Sequence, residues 1–539
     1  MAQKITLGPL LGLSGETLYS VTVLLPKSIE LGTLKLEISS TYYEPADFQE
    51  LHSTFCITFR FNISPTLKDA SHSYSINSGS EKLTDQFNQT DWKFISPSKD
   101  TLPVMAMASC NGNYKKKFKF FKNKKHYLMW ERLWNAHINH HWKESGLHAL
   151  ILSGDQIYAD SIWKEVPYFK KHKLLGRNST KKVINHPPLD SEEKNKLKKS
   201  TSEFYETAYI KSWGAPAIAK VLSSIPTIMM WDDHDIFDGW GSHQKELQET
   251  ELFEIIGNIA RKYFETLQIR GKNNPAIFGN GHYSQHINFR NYEIIALDNR
   301  TFRRPDNIMP KKQFKELEAL NKKNLFKNTP PKLQDDKTLL FVISVPLAHM
   351  NFHKRTETFL KHLIRSNFQH KLHLNDDGLD HWDHETHQDA QKKLVDLIFN
   401  FGERHKPKFV SILSGDVHCA GSGRIKRIAE HKDYSKSGRR DVNQLVTSPI
   451  SYEPTPWPLK LLYKYVASET TKIKGYSLKI DPFGYSNSEE KRPKIFYQRN
   501  YGVLFKDIRG GIQFWLDLEQ GKKPIPDPLA SYEKSASEQ

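Results

Sequence analysis

Two stretches of this sequence decide its fold: LHALILSGDQIYAD at residues 147–160 and FVSILSGDVH at residues 409–418. In each stretch, an apolar run of strand length leads into Ser-Gly-Asp, and a tyrosine or a histidine follows within three residues. One glycine-aspartate pair after a strand is most often a turn. The same arrangement found twice favours a shared site at the ends of two strands.

Four further apolar runs end in residues suited to metal binding or acid/base chemistry. VMAMAS leads to Cys110, IPTIMMW leads to Asp-Asp-His at residues 232–234, YEIIALD contains Asp298 before Arg300, and LLFVISVP precedes His349. The carboxyl ends of neighbouring strands in an α/β sheet converge on one crevice. Cys110 alone suggests a small buried apolar residue, and the aspartates alone suggest a helix start. Together these groups favour a metal site, because such acids repel one another without a cation.

Composition narrows the class of protein. The 539 residues are 38% hydrophobic and 12% aromatic, which is enough to fill a large core and excludes a disordered chain. The 78 Lys and Arg residues exceed the 61 Asp and Glu residues, and the net charge of +17 favours anionic partners. Three cysteines are too few for a disulfide framework in a chain of this size, which favours a reducing compartment.

The pattern along the chain predicts an all-β region followed by a larger layered one. Three alternating stretches between residues 17 and 64 predict a small antiparallel β-sandwich, assigned to residues 1–100. Beyond it, apolar runs alternate with amphipathic helical stretches, as at residues 251–267 and 390–401, which predicts an α/β (α+β layered) domain over residues 101–520. A hairpin near its end is expected to bury either Phe514 and Leu516 or their neighbours, and residues 521–539 are expected to form a polar tail.

Two insertions are rich in lysine, at residues 115–125 and 170–199. A solvated loop is the first interpretation of each, and docking to an anion or to a membrane surface is the second. The first twenty residues lack the pattern of a signal peptide, which predicts cytoplasmic residence or export without an N-terminal signal. The absence of an uninterrupted apolar run of membrane-spanning length predicts no transmembrane segment and no integral membrane contact.

The combination of motifs resembles the PhoD-type alkaline phosphatases and phosphodiesterases of the calcineurin-like metallophosphoesterase superfamily. It consists of ASC at residues 108–110, GDQIYAD at 154–160, WDDHD at 231–235, LDxR at 297–300, a Trp-Asp pair at 382–383 and SGDVH at 414–418. The resemblance implies a metallophosphoesterase-type double β-sheet sandwich flanked by helices, preceded by a small all-β N-terminal domain. It also implies hydrolysis of phosphate monoesters or diesters by a metal-activated hydroxide at a dinuclear centre.

The resemblance implies a role for each residue of the motifs. Asp155 is the carboxylate shared between the metals, His234 the proton donor near the substrate, and Arg300 a candidate for holding the phosphate oxygens. Arg303 and Arg304 are further candidates, with surface salt bridges as the alternative. The metal ligands implied are Cys110, Asp155, Tyr158, Asp233, Asp416 and His418.

The resemblance implies one iron and one calcium ion, with zinc or manganese as alternatives. Thiolate and phenolate suit a trivalent or soft transition metal, whereas carboxylates suit a hard divalent ion. Any further ligand between Asp160 and Trp231 is not placed by the motifs. The histidine-rich segment at residues 370–387 is interpreted as a polar loop over the active site, with a separate metal site as the alternative.

A second hypothesis for the function stays open beside phosphate-ester hydrolysis. It is a catalytically idle or nuclease-like module that binds polyanions, nucleic acid or anionic lipid, through its basic surface. The retention of ligand-type residues in all four principal motifs argues against the idle form. The sequence does not separate monoester, diester, nucleotide and phospholipid substrates, and it leaves the oligomeric state undetermined.

Overall fold

The computed structural model describes residues 4–112, 126–142, 146–174, 179–348, 382, 385–431, 439–454, 460, 470–483, 493–506, 512–521 and 524–528. Several sequence-based expectations fall outside these residues. They concern the first lysine-rich insertion, His349, Asp383, most of the histidine-rich segment and most of the polar tail.

The described residues contain 24 strands. In chain order they are β1 (Leu7–Leu13), β2 (Leu18–Pro26), β3 (Leu34–Ile38), β4 (Thr41–Tyr43), β5 (Pro45–Glu50), β6 (Thr54–Asn62), β7 (Ala70–Ser78), β8 (Glu81–Lys82), β9 (Asp91–Ser96), β10 (Met105–Ala108), β11 (Ala149–Ser153), β12 (Thr227–Met230), β13 (Gln285–Phe289), β14 (Tyr292–Leu297), β15 (Thr338–Ile343), β16 (Phe409–Ser414), β17 (Ala420–Arg427), β18 (Asp441–Val446), β19 (Thr470–Ile473), β20 (Tyr476–Asp481), β21 (Ile495–Phe496), β22 (Asn500–Lys506), β23 (Ile512–Leu518) and β24 (Ile525–Pro528).

Ten α-helices occur among the described residues. They are α1 (Leu128–Ile138), α2 (Ile162–Glu165), α3 (Pro167–Lys171), α4 (Ser179–Ile184), α5 (Ser191–Trp213), α6 (Pro216–Ser224), α7 (Lys245–Gln248), α8 (Glu251–Tyr263), α9 (Lys311–Lys322) and α10 (Gln388–His405). A π-helix, Phe264–Gln268, continues α8, and single 3-10 turns lie at Leu31–Thr33, Asp233–Asp235, Pro331–Asp336 and Glu385–His387.

The strands form two large sheets and one small one. The first sheet has ten strands in the order β24-β23-β22-β10-β11-β12-β1-β2-β6-β5, with β10, β11 and β12 parallel. The second has nine strands, eight of them in the order β13-β14-β15-β16-β18-β17-β20-β19, with β21 beside β17. Its strands β14, β15, β16 and β18 are parallel. All six apolar runs singled out in the sequence are strands in these parallel blocks.

The parallel strands of the second sheet are buried on both faces, because alternate side chains point to opposite sides. On β15, Leu340 and Val342 join a core shared with the strands of the first sheet. Their neighbours Leu339 and Phe341 join a second core, which packs against apolar side chains of α9 and α10. The two sheets therefore face each other across one core, and helices cover the outer face of the second sheet. This confirms the double-sheet fold expected from the sequence.

The all-β N-terminal region contributes to two sheets. Strands β1, β2, β5 and β6 extend the first large sheet, since β1 pairs with β12 at Gly12 and Thr227. The remaining strands, β3, β4, β7, β8 and β9, form the small five-stranded sheet. The division of the chain at residue 100 stays a prediction.

Other local expectations can be compared with the described residues. The helices expected at residues 251–267 and 390–401 are present as α8 with its π-helix and as α10. The C-terminal hairpin is present as antiparallel β22 and β23, and Phe514 and Leu516 are fully buried. The second lysine-rich insertion is not a loop in its described part. It forms α3, α4 and the first turns of α5, where Asp190 and Glu193 make a capping box.

No described helix combines the length and the apolar composition that crossing a membrane requires.

Candidate metal centre

The candidate centre lies where the parallel strands of both large sheets end. Cys110 follows β10, Asp155 follows β11, and Asp416 and His418 follow β16. All four residues have the left-handed backbone, with φ values of 56°, 57°, 64° and 49°. Side chains with a Cβ rarely adopt this conformation, and residues that do cluster at functional sites. The tight turns let the chain reverse directly after each strand.

One group of ligand-type side chains contains Cys110, Asp155 and His418, whose ligand atoms lie within 4.8 Å of one another. The Cys110 Sγ is 3.5 Å from the Asp155 Oδ2, so this cysteine points to the centre and not into an apolar core. The Tyr158 hydroxyl is 3.3 Å from the same Oδ2 and 2.9 Å from the His418 Nε2. Four of the six proposed ligands thus meet at one point.

Two further groups adjoin the first. Asp155, Asp233 and His234 form one, and Asp232, Asp233 and Asp416 form the other, each within the same 4.8 Å. Asp155 and Asp233 each belong to two of the three groups. Every residue proposed from the motifs as a ligand therefore lies in this cluster.

Two buried side chains hold the WDDHD turn against the centre. The Asp235 carboxylate accepts hydrogen bonds from the backbone N–H groups of Asp232 and Gln156, at 2.9 and 3.0 Å. Arg300 is fully buried, pairs with the Asp232 carboxylate and donates to the Trp240 carbonyl at 3.0 Å. Its Nη2 is 3.7 Å from the Asp233 Oδ1. The guanidinium of Arg300 thus lies beside the carboxylates of Asp232 and Asp233.

The other two arginines named beside Arg300 are also covered. Arg303 is fully buried, and Arg304, which is half-buried, donates to the Arg303 carbonyl at 2.8 Å. The Arg303 side chain is therefore not exposed at the surface.

His234 has a partner that the motifs did not assign. Its Nδ1 lies 2.9 Å from the Asp160 Oδ1, which also accepts the Asp238 N–H at 2.7 Å. A carboxylate at one ring nitrogen fixes the tautomer and orientation of the imidazole. The Nε2 of His234 is then the nitrogen available to the centre.

The electrostatics of the cluster are those of buried acids held close together. Burial raises the pKa of Asp155 well above the usual carboxyl range, and the charge of Asp233 adds to this effect. Burial and the neighbouring Asp155 raise the pKa of the Cys110 thiol. Burial lowers the pKa of His418 to about 3. For His234, burial alone would lower the pKa, but the carboxylates of Asp160, Asp233 and Asp155 together raise it well above the usual value.

The donor set fits a pair of metal ions. Asp155 Oδ1 is a buried oxygen without a hydrogen-bond partner, which points to a need for positive charge. Asp233 Oδ1 also lacks a hydrogen bond, although the Arg300 Nη2 lies 3.7 Å away. A cation stabilises the deprotonated forms of the thiol, the phenol and the carboxylates that burial disfavours. The group with sulfur and phenol oxygen suits a transition metal, and the group of aspartates suits a hard divalent ion.

The glycine of the first SGD motif is required by close packing. Gly154 has a φ of 116°, and a Cβ there would lie 2.9 Å from the Cβ of Asp232. We expect Gly154→Ala to lower the free energy of unfolding by about 1–3 kcal/mol and to weaken metal binding, because the turn must move. Denaturant unfolding with metal analysis measures both. Gly32→Ala is the matched control, since nothing lies within 4 Å of its added Cβ. Equal stability of the two variants would contradict the packing argument.

Several residues of the site were missed from the sequence. Asp160 stands inside the GDQIYAD motif, so its signal was present and was not used. Asp232 belongs to the WDDHD run, but only its neighbour was proposed as a ligand. Ser448 and Tyr452 follow β18, a seventh strand that ends at the site, and the Tyr452 ring stacks on Tyr158 with centroids 4.6 Å apart.

Comparisons with known proteins agree with the motifs. A family model described as PhoD related phosphatase matches residues 80–278, which include the turns after β10, β11 and β12. The Saccharomyces cerevisiae protein YGR266W is 25% identical over 377 residues, which are 60% of this chain and 51% of that protein. The chain therefore spans about half the length of that relative. The family resemblance that the motifs indicated is confirmed by the family model.

A solved structure supports the same fold. The structure of PhoD superposes with a TM-score of 0.53 at 13% identity, over 98% of this chain and 89% of that one. The purple acid phosphatase PPD1 from yellow lupin seeds gives a TM-score of 0.47 at 9% identity, over 96% of this chain and 74% of that one.

Proposed function

Because residues 80–278 match the model of the PhoD-related phosphatases and the motifs resemble that family, we propose that the chain hydrolyses phosphate esters at a dinuclear metal centre between its two sheets. The observation that carries the proposal is the position of Asp155, whose carboxylate is common to two groups of potential ligands. When bound, two metal ions activate a water molecule and neutralise the charge that develops on the phosphate. We propose iron at the group containing Cys110 and Tyr158 and calcium at the adjoining group that contains Asp155 and Asp233, with zinc or manganese as alternatives.

The chain's own residues supply proton transfer and alignment. The carboxylate of Asp160 raises the pKa of His234, which favours the protonated imidazole that can donate a proton from Nε2 to the leaving oxygen. Asp160 holds the opposite nitrogen and fixes the direction of that proton. Arg300 keeps the two aspartates of the WDDHD turn in place, which makes it a positioning residue. Direct contact of Arg300 with the phosphate oxygens stays a prediction.

The experiment that tests this function is a substrate panel run on metal-replete protein. It includes an aryl phosphate monoester, a bis-aryl phosphate diester and a single-stranded oligonucleotide, each with and without a chelator. Hydrolysis of a monoester or diester that stops on chelation and returns with metal supports the proposal. Preferred cleavage of the oligonucleotide would favour the nuclease-like alternative, and no hydrolysis of any substrate would contradict both.

Asp160 gives a separate test of the proton donor. We expect Asp160→Asn to slow turnover about 10- to 100-fold while both metals remain bound, because the imidazole loses its partner. The carboxylate of Asp160 raises the pKa of His234, so its removal should move the alkaline limb of the pH profile to lower pH. Glu165→Gln, an exposed change in the same segment, is the control. An unshifted pH profile would count against this role.

A further inference from the structure

Ser448 lies where three loops of the candidate centre meet, and its hydroxyl contacts Cys110. The Ser448 Oγ is 3.0 Å from the Cys110 Sγ and accepts a 3.0 Å hydrogen bond from the backbone N–H of His418. Ser448 is fully buried. A serine hydroxyl has one proton to donate. Because the His418 N–H occupies an acceptor site of the oxygen, the hydroxyl proton is directed to the sulfur.

The position of Ser448 is fixed from several sides. The Asn500 side chain at the start of β22 donates to the Ser448 carbonyl at 2.7 Å. The preceding residue, Thr447, donates its N–H to the Ser414 carbonyl at 3.1 Å. The Thr447 carbonyl accepts from the Ser109 hydroxyl at 2.6 Å. The backbone of the segment is therefore tied to strands of both large sheets. The hydroxyl itself is held by the His418 N–H, and that bond would break if the hydroxyl rotated away from Cys110.

A second hydroxyl near the sulfur is a weaker candidate. The Ser109 Oγ lies 3.5 Å from the Cys110 Sγ, which is longer than the contact made by Ser448. Its single proton already makes the short bond to Thr447. Ser448 is thus the better placed donor to the sulfur.

We propose that Ser448 is a positioning residue that donates a hydrogen bond to the Cys110 thiolate and sets how strongly this sulfur donates to a bound metal. The inference rests on the proposed function only in treating Cys110 as a metal ligand. Hydrogen bonds to a ligand orient it and adjust its electron donation, and those to sulfur shift the properties of the metal. Ser448 would therefore tune the metal without touching it.

The test uses Co²⁺ added to the metal-free protein. The parent should show a thiolate-to-cobalt charge-transfer band. In Ser448→Ala this band should move to longer wavelength, because sulfur without the hydrogen bond releases electron density more easily. The affinity for Co²⁺ should weaken about tenfold or more. Ser448→Thr keeps a hydroxyl and should restore the parent's band.

The matched control is Ser451→Ala. Ser451 is equally buried in the same segment, but its hydroxyl bonds to the Asn111 Oδ1 at 2.8 Å. The thiolate-to-cobalt band of Ser451→Ala should match that of the parent. An unchanged band and unchanged affinity in Ser448→Ala would overturn the proposal. Should Ser448→Ala fail to fold, the cobalt–sulfur stretch of the parent can be compared in H₂O and D₂O, where identical frequencies would overturn it.

Failure of this inference and failure of the proposed function are distinguishable. A shifted band in a protein that hydrolyses no phosphate ester would refute the function and retain the role of Ser448. Active protein without any thiolate-to-cobalt band would retain the function, and it would refute both Cys110 as a ligand and the role of Ser448.

Discussion

Asp155→Asn is expected to abolish hydrolysis of a generic aryl phosphate and to empty the metal centre. The carboxylate of Asp155 lies within 4.8 Å of ligand atoms from both sheets. Under the proposed function, two cations would depend on its charge. A neutral amide cannot supply that charge, so we expect turnover to fall by roughly 10²- to 10³-fold or more with the loss of electrostatic stabilisation. Metal analysis and turnover, measured on the same preparation, check both effects.

The same variant should remain folded. Without cations, the buried carboxylates repel one another and burial raises the pKa of Asp155, so its replacement removes an unfavourable group from the metal-free protein. Its unfolding free energy without metal should equal or exceed that of the parent. Asp389→Asn, at an exposed position in the first turn of α10, controls for the loss of one charge. More than a few per cent of activity with full metal content would remove Asp155 from the bridging role.

His234→Ala is expected to slow turnover by about 10²-fold or more for substrates with poor leaving groups, because proton donation contributes most there. The leaving group of an activated aryl phosphate needs little protonation, so turnover of these substrates should fall less. Both metals should remain bound, because the resemblance makes His234 the proton donor near the substrate and not one of the six metal ligands. The measurement compares turnover across a series of leaving-group pKa values, in the variant and in the parent.

Two other outcomes of this series would change the role assigned to His234. Equal losses across all leaving groups would indicate that His234 positions the phosphate and does not donate a proton. Loss of one metal from His234→Ala would indicate that His234 is a metal ligand. The measurement can distinguish the two roles, because His234 lies in a group of ligand-type side chains with Asp155 and Asp233.

The strands and the approximate place of the centre were predictable because both depend on local patterns. Runs such as LHALIL and FVSIL are long enough for one strand and are apolar on both faces, so they fit parallel strands covered on both sides. Polar residues directly after such runs fall at one edge of the sheet. Cys110, Asp155 and Asp416 were found in this way.

Contacts that depend on the packing of distant segments were not predictable. The sequence shows no reason for the Arg300 guanidinium to lie on Asp232, because the two residues meet only when β12 and β14 pack in different sheets. The contact between the Ser448 hydroxyl and Cys110 likewise depends on how the two sheets pack, because Ser448 follows β18 of the second sheet and Cys110 follows β10 of the first. The pairing of β1 with β12 was not predictable either, because the apolar and polar pattern within one strand does not say which strand lies beside it.

The most direct measurement of the central claim is the metal content of the purified chain, determined together with phosphate-ester hydrolysis before and after chelation. The account predicts two metal ions per chain, loss of hydrolysis when they are removed, and its return when they are restored. Hydrolysis by metal-free protein would contradict the account, as would a single bound ion that Asp155→Asn leaves in place.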